Sequence, residues 1–172
     1  MIPKIKKILY GTDLSKNSAY ALFYAVDLAK RHDARIVILH AIQPVPHLYT
    51  YGESFQAERI LMKSKEEEQK TDIDEIRNRL QQICSNVEVQ AGPPCVDLVS
   101  KILVPLGNPV EKILKIADEE DCDVIVLGTH GKGFLRQTFL GSVAGSVLER
   151  TRKPVFIIPL PPEKTKIDWD KI

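Results

Sequence analysis

Cysteine is scarce in this chain, and its spacing excludes two common structural roles. Three cysteines occur among 172 residues, at Cys84, Cys95 and Cys122, and no two of them form a C-x-x-C pair. A disulfide framework needs cysteines in pairs, and a structural zinc site needs closely spaced ligands. We therefore expect neither, and we predict that all three side chains are buried, reduced thiols.

Long apolar runs and an excess of one charge are also missing. No stretch approaches the roughly 20 apolar residues that span a membrane, and the first residues, 1–4, lead into no apolar region of the kind found in signal peptides. With 24 basic and 23 acidic residues, the net charge of +1 gives no attraction to nucleic acid or to a membrane surface. We expect a cytoplasmic protein whose partner is a small molecule or another protein.

What is present is an alternation of apolar, strand-like runs with helical patterns. This order predicts right-handed βαβ units and a parallel, doubly wound α/β sheet with helices on both faces. Residues 87–91 alternate like a half-buried strand, and Pro105, which cannot donate to a sheet ladder, places its own strand at a sheet edge. The predicted buried or edge strands cover residues 5–12, 35–42, 101–106, 124–127 and 155–158.

Capping residues indicate where helices begin. Asn108, Pro109 and Glu111 are typical of a helix N-terminus, with asparagine as N-cap, proline at the first position and glutamate at the third. Asp13 follows the first strand and is a candidate cap for the next helix. Further helices are predicted over about 53–84 and 142–150, within one domain of residues 1–160 that is followed by a polar tail, 161–172.

A glycine-rich stretch lies between the last two predicted strands. Gly128 and Gly131 close one strand, and after nine further residues Gly141 and Ser142 open a helix. Glycines allow backbone N–H groups to approach an anion closely, and the amides at a helix N-terminus favour phosphate. The stretch is therefore predicted to bind phosphates beyond the carboxyl ends of the strands, with Asp13 facing it where the strand order reverses.

Other phosphate-binding and catalytic patterns are absent from the sequence. There is no G-x-x-x-x-G-K-[ST] loop, and the run from Gly131 to Arg136 lacks the third glycine of a dinucleotide fingerprint. His130 has no cysteine, aspartate or glutamate at ligand spacing, so we interpret it as a residue of the glycine loop, not as a metal ligand or catalyst. Besides Asp13 no catalytic set is visible, and slow hydrolysis or self-phosphorylation is the most activity that we expect.

The spacing Gly128-x2-Gly131-x9-Gly141-Ser142 resembles the ATP-binding signature of the universal stress protein (UspA) family. The likeness extends over nearly the whole chain. It implies a five-stranded sheet in the order 3-2-1-4-5, in which the strand with Pro105 is an edge, and homodimers formed through the last strand at 154–159. The segments that support it are 8–15, 38–41, 106–109 and 153–155.

The resemblance also implies which residues contact a nucleotide. Asp13 and the backbone of Ala41 are implied to lie beside adenine and ribose, and the glycine stretch beside the phosphates. The implied ligand is ATP, with or without Mg²⁺, while ADP and AMP remain open. The full set of implied contact residues is Gly11, Thr12, Asp13, Ala41, Leu127, Gly128, His130, Gly131, Gly141, Ser142, Val143 and Ala144.

The function that this resemblance implies is an ATP-binding stress-response switch or partner-binding module, whose protein partner is unidentified. Two positions depart from the family pattern. Gly11 stands where members often have proline or alanine, and Ala144 stands where nucleotide-binding members often carry a hydroxyl. Ala144 supports an alternative, a dimerisation protein of the same fold without a nucleotide. A third hypothesis is an adenine-nucleotide enzyme, although the chain has neither an H-x-G-H nor an S-G-G-x-D-S motif.

Overall fold

The computed structural model describes residues 3–43, 55–92, 94–129 and 140–159. Within these ranges, strands and helices alternate along the chain as the sequence predicts. A short 3₁₀ turn at Val96–Leu98 precedes the third strand. The strands are β1 (Lys7–Gly11), β2 (Arg35–Leu39), β3 (Val99–Leu103), β4 (Val124–Gly128) and β5 (Val155–Ile158), and the helices are α1 (Lys16–His32), α2 (Phe55–Ala91), α3 (Pro109–Glu119) and α4 (Ser142–Arg150).

The five strands form one parallel sheet in the order β3-β2-β1-β4-β5. The predicted fold class and strand order are thereby confirmed, and β3 lies at an edge as Pro105 requires. The strand itself ends at Leu103, earlier than the predicted 101–106. Beyond it the pairing continues as a single bridge between Ile42 and Leu106, because Pro105 has no N–H and contributes only its carbonyl, which accepts the Ile42 N–H at 2.9 Å.

Alternating residues of β1 divide the core between the two faces of the sheet. Ile8 and Tyr10 are buried against α1 and α2, whereas Leu9 is buried against α3 and α4. A strand that is buried on both faces reads as a continuous apolar run, which is why β1, β2 and β4 are readable from sequence. In the described ranges the helices cover the two faces of the sheet, and the carboxyl ends of the strands lie between these layers.

The segment 87–91 is helical, so the predicted strand at this place is wrong. It forms the last turns of α2, which continues past the predicted end at residue 84. Val87 is fully buried while Val89 is 84% exposed, although the two would share a face in a strand. The burial of Leu80, Cys84 and Val87 follows helical spacing, and this tertiary packing outweighs the local alternation of the sequence.

Two helix starts test the predicted caps. Asn108 caps α3 as expected, since its side chain accepts the N–H groups of Val110 at 2.9 Å and Glu111 at 3.2 Å. The cap of α1 is Ser15, whose hydroxyl accepts the Ser18 N–H, and not Asp13. Within the described ranges, no helix is long and apolar enough to cross a membrane.

Truncating the two valines near the end of α2 should affect stability to very different extents. Val87→Ala should lower the free energy of unfolding by about 1–3 kcal/mol because it opens a cavity in the core. Val89→Ala is the matched control and should change it by less than about 0.5 kcal/mol. Urea unfolding followed by circular dichroism measures both. Similar losses for the two variants would show that they share a buried face, as in a strand.

Candidate functional site

The crevice at the carboxyl ends of β1 and β4 is where the sheet reverses its strand order. The two strands are direct parallel neighbours, with Leu9 opposite Ile125 and Tyr10 opposite Val126. From β1 the chain proceeds outward to β2, and from β4 it proceeds in the other direction to β5. Loops at such a switch point diverge and leave space for a ligand between them. The neighbouring strands expected to bring Asp13 and Gly128 to one crevice are therefore present.

The turn between β1 and α1 is held by its own side chains. The Thr12 hydroxyl accepts the Leu14 N–H at 3.1 Å and lies 2.8 Å from the Ser18 hydroxyl. One carboxylate oxygen of Asp13 accepts the Ser15 N–H at 3.0 Å. Leu14 adopts a left-handed backbone with φ of 64°, which is uncommon for a branched side chain and is stabilised here by the bonds around it. Asp13 thus sits half-buried in a rigid turn.

Beneath this turn, a buried tyrosine supports the start of α1. Tyr10 donates its hydroxyl to the Ser18 carbonyl at 2.6 Å, and the side chain is 1% exposed. Burial disfavours the phenolate, so the pKa of Tyr10 is raised well above its ordinary value. The hydroxyl therefore stays protonated and keeps its role as a donor.

Ala41 lies just beyond the end of β2, next to the β1–α1 turn. Thr12 donates its N–H to the Leu39 carbonyl at 2.9 Å, and its own carbonyl lies 2.8 Å from His40 Nδ1. His40 in turn donates its backbone N–H to the Leu103 carbonyl at 3.0 Å. His40 is half-buried and lies just beyond the strand. Ala41 is consequently fixed beside the β1–α1 turn.

Gly128 ends β4 where α1 comes very close. A Cβ atom at this position would lie 3.0 Å from Asn17 Nδ2 and 3.4 Å from the Asn17 carbonyl oxygen. The next residue, Thr129, is 3.5 Å from Asn17 Nδ2 through its hydroxyl and donates its N–H to the Ile158 carbonyl. The close approach of α1 is thus a packing reason for glycine at 128, in addition to the anion-binding reason inferred from sequence.

The start of α4 is attached to the same place. Gly141 donates its N–H to the Thr129 carbonyl at 2.6 Å, and it is the N-cap of the helix. Because glycine has no side chain, Gly141 cannot cap the amides of the first turn in the way that Asn108 caps α3. Ser142 is exposed and Val143 is half-buried. The positive end of the helix dipole therefore lies beside the carboxyl end of β4.

Several predicted contact residues place their side chains in the core instead. Leu127 and Ala144 are each 4% exposed and belong to the cluster under α3 and α4. A Cβ on Gly11 would lie 2.6 Å from Leu127 Cδ2, so this position faces the core as well. These residues therefore contribute backbone groups, and not side chains, to the crevice. His130 and Gly131 lie outside the described residues.

Asn17 and Thr129 contact each other at the end of β4, and neither is among the contact residues predicted from the sequence. Asn17 looked like one more polar residue at a helix start, and only the pairing of β1 with β4 brings it to Gly128. Thr129 could have been found, because it directly follows a buried strand within the glycine stretch. In the described part of the chain, no three His, Cys, Asp or Glu side chains are grouped to hold a metal ion.

Comparison with known proteins identifies a family. A family model described as the universal stress protein family matches residues 4–159. Among curated proteins, the universal stress protein MJ0577 of Methanocaldococcus jannaschii is 29% identical over 167 residues, covering 89% of this chain and 94% of the relative. The likeness therefore extends over nearly the full length of both proteins.

Solved structures show the same fold. A structure of the hypothetical protein MJ0577 superposes with a TM-score of 0.70 at 26% identity, covering 94% of this chain and all of the other. A universal stress protein in complex with cAMP gives a TM-score of 0.59 at 22% identity, covering 91% and 98%. One from Archaeoglobus fulgidus in complex with dAMP gives 0.55 at 22% identity, covering 92% and 99%.

Adding a methyl group at two glycines of this region should shift stability in opposite directions. Gly128→Ala should lower the free energy of unfolding by about 1–2 kcal/mol, because the new Cβ displaces Asn17. Gly145→Ala should raise it by about 0.5–1 kcal/mol, because Gly145 is helical and its added Cβ meets only Leu140, at an ordinary 3.6 Å. Thermal and urea unfolding test both; a stabilising Gly128→Ala would contradict the close approach of α1.

Proposed function

The chain belongs to the universal stress protein family, and from that premise we propose that it binds an adenine nucleotide, ATP foremost, in the crevice beyond β1 and β4. The observation that carries the proposal is the hydrogen bond from the Gly141 N–H to the Thr129 carbonyl, which fixes the start of α4 beside the end of β4. Two structural neighbours with bound cAMP and dAMP support the choice of an adenine nucleotide.

The phosphates are proposed to bind at the first turn of α4. The backbone amides of Ser142, Val143 and Ala144 belong to the initial turn of a helix, where N–H groups have no carbonyl partner within the helix. The first helical hydrogen bond of this turn is made by Gly145, whose N–H donates to the Gly141 carbonyl at 2.9 Å. Amides and helix dipole together favour an anion here.

The nucleoside is proposed to bind on the opposite side, between the β1–α1 turn and Ala41. Asp13 is ready to accept hydrogen bonds from ribose hydroxyls, because the turn that holds it is already ordered by the bonds of Thr12 and Ser15. A site that is ordered before binding loses less conformational entropy when the ligand arrives. Ala41, fixed by the bonds of its neighbour His40, would offer backbone groups to the base.

Burial of Ala144 favours nucleotide binding over the nucleotide-free alternative. That alternative rests on a missing hydroxyl at position 144, near the phosphates. The Ala144 side chain is 4% exposed and packs in the cluster with Val147 and Leu127, so a hydroxyl there would point into apolar surroundings. Its absence therefore removes little from the phosphate site. We propose a switch or stress-response module in which nucleotide binding, with at most slow hydrolysis, changes the state of the protein.

Isothermal titration with ATP, ADP and AMP, each with and without Mg²⁺, tests the site. Ser142→Pro removes one backbone N–H while keeping a helix start, since proline is tolerated at the first helical position and Gly141 already has an extended backbone. We expect ATP to bind at least about tenfold more weakly to this variant, because a hydrogen bond to a charged phosphate is lost.

Three further variants separate the contribution of the Ser142 amide from those of its hydroxyl and of the Asp13 charge. Ser142→Ala removes only the hydroxyl and should weaken binding severalfold at most. Asp13→Asn keeps an oxygen that can accept the Ser15 N–H but loses the charge, and it should weaken binding by roughly tenfold. Asp97→Asn makes the same change away from the crevice, in the turn before the edge strand β3, and should leave nucleotide binding unchanged. Absence of binding by all three nucleotides at millimolar concentration would overturn the proposal.

We also propose that β5 forms the interface of a homodimer, over residues 154–159. In the described sheet β5 is an edge strand, and its Phe156 is 45% exposed. An exposed aromatic on the edge strand of a sheet is a surface that natural proteins usually cover. A second copy of the strand would pair with the open backbone edge and bury the aromatic ring.

Phe156→Asp should convert a dimer to a monomer, because it places a charge in the apolar interface. Val89→Asp is the control, as it puts the same charge on an exposed apolar position of α2. Sedimentation velocity at micromolar protein measures the mass of each. The same mass for the wild-type chain and Phe156→Asp would count against an interface at β5.

A further inference from the structure

Two of the three cysteines lie in contact, although eleven positions separate them in the sequence. The sulfur atoms of Cys84 and Cys95 are 2.6 Å apart, only about half an ångström more than a covalent S–S bond of about 2.05 Å. Both side chains are buried in the cluster beneath α1 and α2. Cys122 is buried in the other cluster, on the opposite face of the sheet. The fold thus brings Cys84 and Cys95 together and leaves Cys122 as a single thiol.

Hydrogen bonds that do not involve sulfur hold the pair in place. The Glu88 carboxylate accepts the backbone N–H groups of Cys95 at 3.0 Å and Val96 at 2.9 Å. These two donors lower the pKa of Glu88, so it remains ionised at neutral pH. Lys30 of α1 donates to the Gly92 carbonyl at 2.6 Å, which fixes the chain between the cysteines. The segment that carries Cys95 is therefore held against α2 and α1 before any covalent bond forms.

The two thiols differ in their readiness to react. The hydrogen bond from Cys95 lowers the pKa of Cys84, whereas that same bond and burial raise the pKa of Cys95. Cys84 also lines a cavity of about 480 Å³, together with Arg77 of α2 and Lys101 of β3. A thiolate with access to a small reagent is the nucleophile in cysteine oxidation. Cys84 has the lower pKa of the two thiols and, although only 2% exposed, lines the cavity through which a small reagent would reach its sulfur.

We propose that Cys84 and Cys95 form a reversible disulfide in response to peroxide, which covalently joins the end of α2 to the segment that enters β3. The Cys84 thiolate attacks one oxygen of hydrogen peroxide, the O–O bond breaks, and hydroxide leaves, which gives a sulfenic acid. The Cys95 sulfur then attacks Cys84 Sγ, the S–O bond breaks, and water leaves with the proton of Cys95. Two thiols are oxidised by two electrons, and the peroxide is reduced to water.

The cross-link does not depend on the nucleotide site. It spans the crossover between α2 and β3, and β3 is an edge strand whose ladder partner is β2. Closing a loop of about a dozen residues restricts the unfolded chain and stabilises the fold. A dithiol reductant reverses the bond by thiol–disulfide exchange and restores the two thiols.

Peptide mass analysis of the wild-type protein tests the proposal without any substitution. Trypsin has no site between Cys84 and Cys95, so both occur in the single peptide 80–101, whereas Cys122 occurs in the peptide 116–132. The folded protein is exposed to hydrogen peroxide, denatured, alkylated and digested. The peptide 80–101 should lose two hydrogens and carry no alkyl group, while Cys122 is alkylated. Treatment with dithiothreitol first should restore two alkylated cysteines.

Variants establish the order of events. In Cys95→Ser the sulfenic acid on Cys84 has no partner, so dimedone should label Cys84 after peroxide treatment. In Cys84→Ser, Cys95 should remain unlabelled, and Cys122→Ser should form the cross-link like the wild-type protein. Two alkylated cysteines in the peptide 80–101 of the peroxide-treated wild-type protein would overturn the proposal, as would a Cys84 oxidised to sulfinic or sulfonic acid while Cys95 stays free.

Discussion

The parallel pairing of β1 with both β2 and β4 is the constraint on which the rest of the structure depends. Each parallel neighbour must be reached by a crossover, and right-handed crossovers in opposite directions place helices on opposite faces. Ile8 and Tyr10 then face one helical layer and Leu9 the other. The same reversal leaves the end of β1 and the end of β4 side by side. The position of the crevice thus follows from the topology of the sheet. The loops supply the side chains and backbone amides around it.

The sequence predicts those features that are determined locally. Asn108 caps α3 because its side chain reaches amides two and three residues away, and Pro105 limits an edge strand because it lacks an N–H. The strand predicted over residues 87–91 is wrong because contacts with distant parts of the chain determine its structure. The alternation of these residues is also local, but the burial of Val87 against α1 and the sheet decides the outcome, and that burial depends on residues far along the chain.

Contacts between distant segments could not be predicted from spacing. Cys84 and Cys95 looked like isolated thiols because their proximity depends on the path of the chain after α2, which Glu88 and Lys30 determine. Gly128 ends β4 beside the switch point, and both Gly11 and Gly128 have packing reasons for lacking a side chain. A glycine motif therefore indicates that some group lies close to the backbone. Only the structure tells whether that group belongs to the protein or to a ligand.

Helix α1 connects two regions that differ in chemistry. Its 17 residues correspond to a rod of about 25 Å. Near one end, Asn17 lies against the end of β4, and near the other, Lys30 holds the Gly92 carbonyl within the loop that joins the cysteines. A single helix therefore contacts both the carboxyl end of β4 and the segment between the two cysteines.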